Sequence, residues 1–63
     1  MLIDFAVWTL ARSMSRRSDG ASVRLYRARG GARLLLIGEG REHFYRVGDA
    51  DRAAARFERE VGQ

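Results

Sequence analysis

Cysteine, proline, lysine and asparagine are absent from this 63-residue chain, and histidine occurs once, as His43. Without cysteine there is no disulfide scaffold, thiol chemistry or haem attachment, and nothing marks a secreted protein. A single histidine with no cysteine beside it falls short of a metal site, so no metal and no cofactor are expected. The most apolar stretch, Leu2 to Ala11, is ten residues long and contains Asp4, well short of the roughly twenty residues that span a bilayer. No basic segment precedes it, so a signal peptide is not expected, and the expectation is a cytoplasmic protein with no membrane partner. The missing lysine makes all twelve cations arginine, against eight acids, for a net charge of +4. Arginine pairs in a planar fork with carboxylates and phosphates and stacks on aromatic rings, whereas lysine is a hydrated point charge. Such a choice suits recognition, although a GC-rich genome yields the same arginine, alanine and glycine bias. Position in the fold has to decide between the two.

A chain of 63 residues makes one domain, 1–63, and buries only about 60% of the surface its unfolded form exposes. Small domains usually lean on disulfides, a metal or oligomerisation. With neither of the first two expected, a compact two-layer core, self-association or docking on a partner must supply stability.

Along the chain, Ile3, Val7, Leu10 and Met14 recur at the three- and four-residue spacing of one helix face, widened by Phe5 and Trp8. This predicts a helix over Leu2 to Arg17, ended by Ser18-Asp19-Gly20. From Ser22 the period becomes two, with Val23 and Leu25 alternating with Arg24 and Tyr26, the pattern of a half-buried strand. Gly30-Gly31 suits a tight hairpin, Ala32 to Ile37 reads as a central strand, Gly38-Glu39-Gly40-Arg41 as a second turn, and Glu42 to Val47 as a third strand. Asp49 is a suitable N-cap for a closing helix, with Asp51 in its first turn. Ala50, Ala53, Ala54, Phe57 and Val61 fall on one face of that helix, and Arg52, Arg56, Arg59, Glu58 and Glu60 on the other, before Gly62 ends it. The expected fold is α+β, in the order αβββα: a three-stranded antiparallel meander with both helices packed on one face.

Charge is uneven along the chain. Residues 22–48 carry six arginines against Glu39 and Glu42, a net of +4, whereas the flanking segments come to +1 and −1. With two-residue turns, Leu25 faces Leu36, Tyr26 faces Leu35, Leu35 faces Phe44 and Leu34 faces Tyr45. One sheet face then carries Val23, Leu25, Leu34, Leu36, Tyr45 and Val47 toward the helices. The other, uncovered face carries Arg24, Tyr26, Arg33, Leu35, Ile37, Phe44 and Arg46. A one-residue slip in the second turn would exchange Phe44 with Tyr45.

Arginines interleaved with aromatics on an open sheet face suit nucleic acid, with guanidinium on phosphate and rings under bases. They equally suit a protein partner, since Arg and Tyr are favoured at interfaces. The plain alternative is a solvated face on which arginine stems cover Leu35 and Ile37. The candidate binding residues are Arg24, Tyr26, Arg33, Phe44 and Arg46, with Arg29 and Arg41 in the turns. Phe5 and Trp8 are core residues or a homodimer seam through the N-terminal helix. Catalysis is not expected. His43 has no partner, Asp49 and Asp51 are explained as helix-start acids, Glu58 and Glu60 point to different sides, and Gly38-Glu39-Gly40 lacks the lysine of a phosphate loop.

Residues 22–61, three short strands then a helix, resemble the arm-type DNA-binding domain of phage integrases, whose exposed sheet enters the major groove. The whole layout, with Leu34-Leu35-Leu36-Ile37, a glycine-containing turn, His43-Phe44-Tyr45-Arg46-Val47 and an acid-capped helix, is similar to that of small phage anti-CRISPR proteins. Those resemblances imply a DNA binder in the first case and an inhibitor of a bacterial defence complex in the second. The basic charge departs from the acidic, DNA-mimicking inhibitors. The expected function is therefore a non-catalytic binding protein of phage or mobile-element type that occupies a surface of a protein or nucleoprotein. A DNA- or RNA-binding module and a small homodimeric regulatory subunit are the alternatives.

Overall fold

The computed structural model describes Asp4 and residues 6–63. They form strands β1 (Trp8–Ser15), β2 (Ser22–Ala28), β3 (Arg33–Ile37) and β4 (Arg41–Tyr45), followed by helix α1 (Ala50–Gly62). The strands make one antiparallel sheet in the order β1-β2-β3-β4, and α1 packs on one of its faces.

The α+β class and the closing helix agree with the sequence reading, but the N-terminal helix does not. Trp8 to Ser15 is an edge strand, so the order is ββββα rather than αβββα, and one helix rather than two covers the sheet. The reason lies in a β-bulge. Leu10 pairs with Tyr26 and Arg12 with Leu25, leaving Ala11 as an extra residue that reverses the alternation. The bulge puts Leu10 and Met14 on opposite faces of the sheet, although their four-residue spacing mimics one helix face. Thr9, Ser13 and Ser15 favour the strand, because their hydroxyls or branched Cβ weaken a helix. Ser18-Asp19-Gly20 is accordingly a hairpin turn, with Gly20 at φ +74°. Leu2, Ile3 and Phe5 lie outside the described residues, and with them the Phe5 half of the expected dimer seam.

Both later hairpins have three-residue loops instead of two. In the first, Ala28 N–H donates to Ala32 O at 3.0 Å and Gly31 N–H to Ala28 O at 3.1 Å, enclosing Arg29-Gly30-Gly31. Gly30 and Gly31 have φ of +96° and +104°, values that only glycine adopts without strain. In the second, Ile37 pairs with Arg41 around Gly38-Glu39-Gly40. Each register is therefore one residue from that expected: Leu25 faces Leu35, Tyr26 faces Leu34, Leu35 faces His43 and Leu34 faces Phe44. The two slips cancel on β4 and act only on β3. Leu35 and Ile37 turn toward the helix, while Leu34 and Leu36 take the far side.

The core on the helix side is Val23, Leu25, Leu35, Ile37, Ala53 and Phe57, flanked by Tyr45 and Val61. Val23, Leu35 and Phe57 are fully buried. α1 starts at Asp49 as expected, yet the Asp49 side chain does not cap it; its carboxylate lies 3.7 Å from Arg52. Glu60, expected on the solvent side of the helix, is only 3% exposed.

Two arginines of the β1 side reach over the helix. The Arg12 guanidinium carbon sits 4.4 Å from the centroid of the Phe57 ring, and its Nη1 pairs with Glu58 at 2.6 Å. Arg16 forks onto Asp19 through Nε (3.0 Å) and Nη2 (2.9 Å) and reaches Glu60 with Nη1 at 3.3 Å. Glu60 also accepts from Arg56 Nε at 2.8 Å. Backbone bonds from Arg17 N–H to Val61 O and from Ser18 N–H to Gln63 O close the same corner.

Asp19 fixes this corner from the turn. Its hydrogen bonds from Arg16 and from the Ala21 N–H favour the carboxylate and hold its pKa down to about 2. A depressed carboxyl stabilises the fold above its ordinary value of 3.8 and loses that contribution as pH falls toward 2. Asp19→Asn should therefore lower the thermal midpoint near neutral pH and converge on the parent protein near pH 2. Equal losses at both pH values would refute this role.

Candidate functional site

The far face of the sheet holds a second apolar cluster. Register places Trp8 and Leu10 of β1, Tyr26 of β2, Leu34 and Leu36 of β3 and Phe44 of β4 on the side away from α1. Trp8 and Phe44 belong to opposite edge strands, three strand spacings or about 14 Å apart in a flat sheet. Their ring centroids are nevertheless 6.1 Å apart, in an edge-to-face pair at 87°. The rings meet across the inner strands, where Tyr26 and Leu34, in line with Phe44, are each only 2% exposed. Phe44 itself is 62% exposed and Leu10 48%. The aromatic pair thus has a dry underside and a wet outer surface.

Arg24 also lies on this face, opposite Leu36 and Ser13. Its Nε is buried and has no hydrogen-bond partner among the described residues. A buried guanidinium N–H left without an acceptor is costly, and an acceptor brought by a ligand would relieve that cost.

Cationic charge gathers at the end of the sheet where β2 turns into β3. Arg27 stands directly opposite Arg33, and Arg33 directly opposite Tyr45. Arg29 lies in the turn, and Arg46 follows Tyr45 at the end of β4. The turn after β4 rests on the β2–β3 hairpin: a Cβ added at Gly31 would lie 3.5 Å from Val47 Cγ1. Arg33 Nη1 is held by the Gly31 carbonyl at 2.7 Å and the Ala32 carbonyl at 3.3 Å. Among the described residues no carboxylate lies within 4.0 Å of Arg27, Arg29, Arg33 or Arg46, in contrast to Arg12, Arg16, Arg52 and Arg56, which are all ion-paired. Like charges placed opposite one another on a sheet are destabilising, and an anion is the natural relief.

Of the residues read from the sequence, Arg24, Tyr26 and Phe44 do share the far face. Arg33 lies on the opposite face because β3 is flipped, and Arg46 lies beyond β4 in the connection to α1. Arg41 opens β4 at the other end of the sheet, paired with Ile37. Trp8, read as helix core or dimer seam, instead joins Phe44. Sequence reasoning did not find this pairing, although Trp8 alternating with Leu10 was the available signal. His43 faces α1, its Nε2 3.4 Å from Arg56 Nη2, in a structural position. Among the described residues no three His, Asp or Glu side chains gather as metal ligands, and no helix is long and apolar enough to cross a membrane.

No protein-family model, curated protein or solved structure gives a significant match to this chain. The αβββα order behind the similarity to anti-CRISPR proteins is not the order observed. The three strands and helix of residues 22–61 are present, with β1 added at the β2 edge.

Proposed function

We propose that this protein is a non-catalytic binding module for single-stranded nucleic acid, free or within a nucleoprotein. The observation that carries this reading is the coincidence, at one end of the sheet, of the exposed Phe44 ring and its Trp8 partner with Arg29 and Arg46, which have no carboxylate within 4.0 Å among the described residues, while Arg27 and Arg33 stand at the same end on the α1 side. Trp8 pairs with Ala28 at the end of β2, one residue before Arg29. Bases stack on the exposed ring of Phe44 and its Trp8 partner, and phosphates meet Arg29 in the β2–β3 turn and Arg46 after β4. A base reaches such a ring only when unstacked, which favours a single strand over a duplex.

Trp8 is the sole tryptophan and reports on its own site. Titration with an oligothymidylate at low salt should quench its fluorescence, with affinity falling with salt at a log-log slope of about −1.4 if two phosphates are engaged. Phe44→Ala should weaken binding by about 1–3 kcal/mol, roughly five- to 150-fold, the usual worth of one base–ring stack. Arg29→Ala with Arg46→Ala should make the slope shallower by about 1.4. No quenching and no gel retardation at low salt would sink the reading.

The second reading is a protein surface, such as an inhibitor of a defence complex would occupy. What favours it is the half-exposed Leu10 on the same face as the exposed Phe44 ring, apolar surface suited to a protein hot spot. Duplex-independent capture of a protein through Phe44 with no oligonucleotide binding would select it.

A further inference from the structure

The two edges of the sheet are built differently. An edge strand exposes unpaired N–H and C=O groups, and natural sheets blunt it by shortness, charge or proline. β4 is blunted: it has five residues, and Arg41 and Glu42 lie on it. β1 has eight residues, almost all exposed, and its only charge is Arg12. That charge is drawn off the edge, over Phe57, and neutralised by Glu58. Of the five large apolar side chains most exposed among the described residues, Val7, Leu10 and Met14 lie on β1 or in the turn entering it. The bulge at Ala11 interrupts the edge, but Arg12–Ser15 beyond it pair regularly with Leu25, Arg24, Val23 and Ser22.

We infer that β1 is a self-association edge, pairing antiparallel with β1 of a second copy about a twofold axis normal to the sheet. The result is a continuous eight-stranded sheet with both helices on one side and both aromatic pairs on the other. Charge identifies a second copy as the occupant. A chain of net +4 can approach its own copy only through a surface with little uncompensated charge, and β1 is that surface. Antiparallel pairing also sends the two arginine-rich ends to opposite ends of the long sheet, where they repel least. Residues opposed across the axis must share a face, so Met14 meets Met14 or the stem of Arg12 in the other copy, an apolar contact either way. The inference is independent of the nucleic-acid reading and is tested without nucleic acid.

Sedimentation equilibrium of the purified chain should give a mass approaching twice 7.1 kDa as concentration rises. Met14→Lys should weaken association at least tenfold, whereas Glu42→Gln, on the opposite edge strand and with the same change in net charge, should leave it unchanged. Amide exchange on the parent protein, which no folding defect of a variant affects, should show protection of both inward- and outward-facing amides of Arg12–Ser15. A monomeric mass at the highest soluble concentration overturns the inference. So does a dimer that Glu42→Gln dissolves, or one in which the outward amides of Arg12–Ser15 exchange freely.

Discussion

Phe57→Ala is expected to remove most of the protein's stability at 25 °C, moving its urea midpoint far toward zero denaturant. Phe57 is fully buried at the centre of the helix–sheet contact, against Val23, Leu25, Leu35 and Ile37, and its outer face is capped by Arg12. Truncating a buried phenylalanine costs about 3–5 kcal/mol, the sum of lost transfer energy and the cavity left behind. A domain of this length has roughly 3–9 kcal/mol of total stability, so one substitution consumes most of it. Loss of the ring also removes the surface on which Arg12 rests, worth about another 0.5–1 kcal/mol and the main tie between β1 and α1. Phe44→Ala is the internal comparison: its ring is 62% exposed, so the cost should stay near 1 kcal/mol, confined to the lost edge-to-face contact with Trp8. Circular dichroism with urea titration separates the two. A loss below about 1.5 kcal/mol for Phe57→Ala would mean that α1 is not seated on the sheet as described.

That Phe57 would be central was legible in the sequence, because Ala53, Phe57 and Val61 recur at helical spacing behind an acidic helix start. The strands of β2, β3 and β4 were legible too, from alternation and from glycine-marked turns. What the sequence could not settle was the length of those turns. A hairpin of two or three residues differs by one position, and that one position decides whether Leu34 and Leu36 or Leu35 and Ile37 enter the core. All four are leucine or isoleucine, so hydrophobicity gave no discrimination, and the flip of β3 carried Arg33 off the binding face. β1 was illegible for a related reason. A bulge breaks the period of two, and Val7, Leu10 and Met14 fall at the three- and four-residue spacing of a helical stripe. The binding face was thus half readable: Arg24, Tyr26 and Phe44 lie on strands whose relative facing survived both slips, whereas Trp8 enters only once β1 is seen as a strand. Glu60 was misread because helical periodicity reports polarity, not pairing. A glutamate beside the helix C-terminus reads as solvated unless the arginines that bury it, Arg16 from the first hairpin and Arg56 one turn back, are seen to converge.

Glu60→Ala should be the next most damaging substitution, and the way its cost varies with pH identifies the cause. The carboxylate is 3% exposed and joins Arg56 of the same helix to Arg16 of the β1–β2 corner. Breaking a buried ion pair by removing one partner typically costs about 3–5 kcal/mol, because the remaining charge is left uncompensated. Here the figure should be nearer 2–3 kcal/mol, since Arg16 keeps its fork on Asp19 and the Arg56 side chain is 28% exposed and can turn to water. Burial alone would push the Glu60 pKa up, but the hydrogen bond and charge of Arg56, joined by Arg16, outweigh it and leave the carboxyl below its ordinary value of 4.5. A carboxyl depressed in the folded state stabilises above that ordinary value, and the contribution disappears as pH falls through the lower, folded value. The gap in stability between the parent protein and Glu60→Ala should therefore be full at pH 6–7 and narrow steadily below 4.5. Glu60→Gln keeps the shape and one acceptor but not the charge, so its deficit should be smaller at neutral pH and close at the acidic end. If the gap for Glu60→Ala stayed constant across this range, the loss would come from packing alone, and the convergence of Arg16 and Arg56 on a charged Glu60 would not be what locks the helix to the first hairpin.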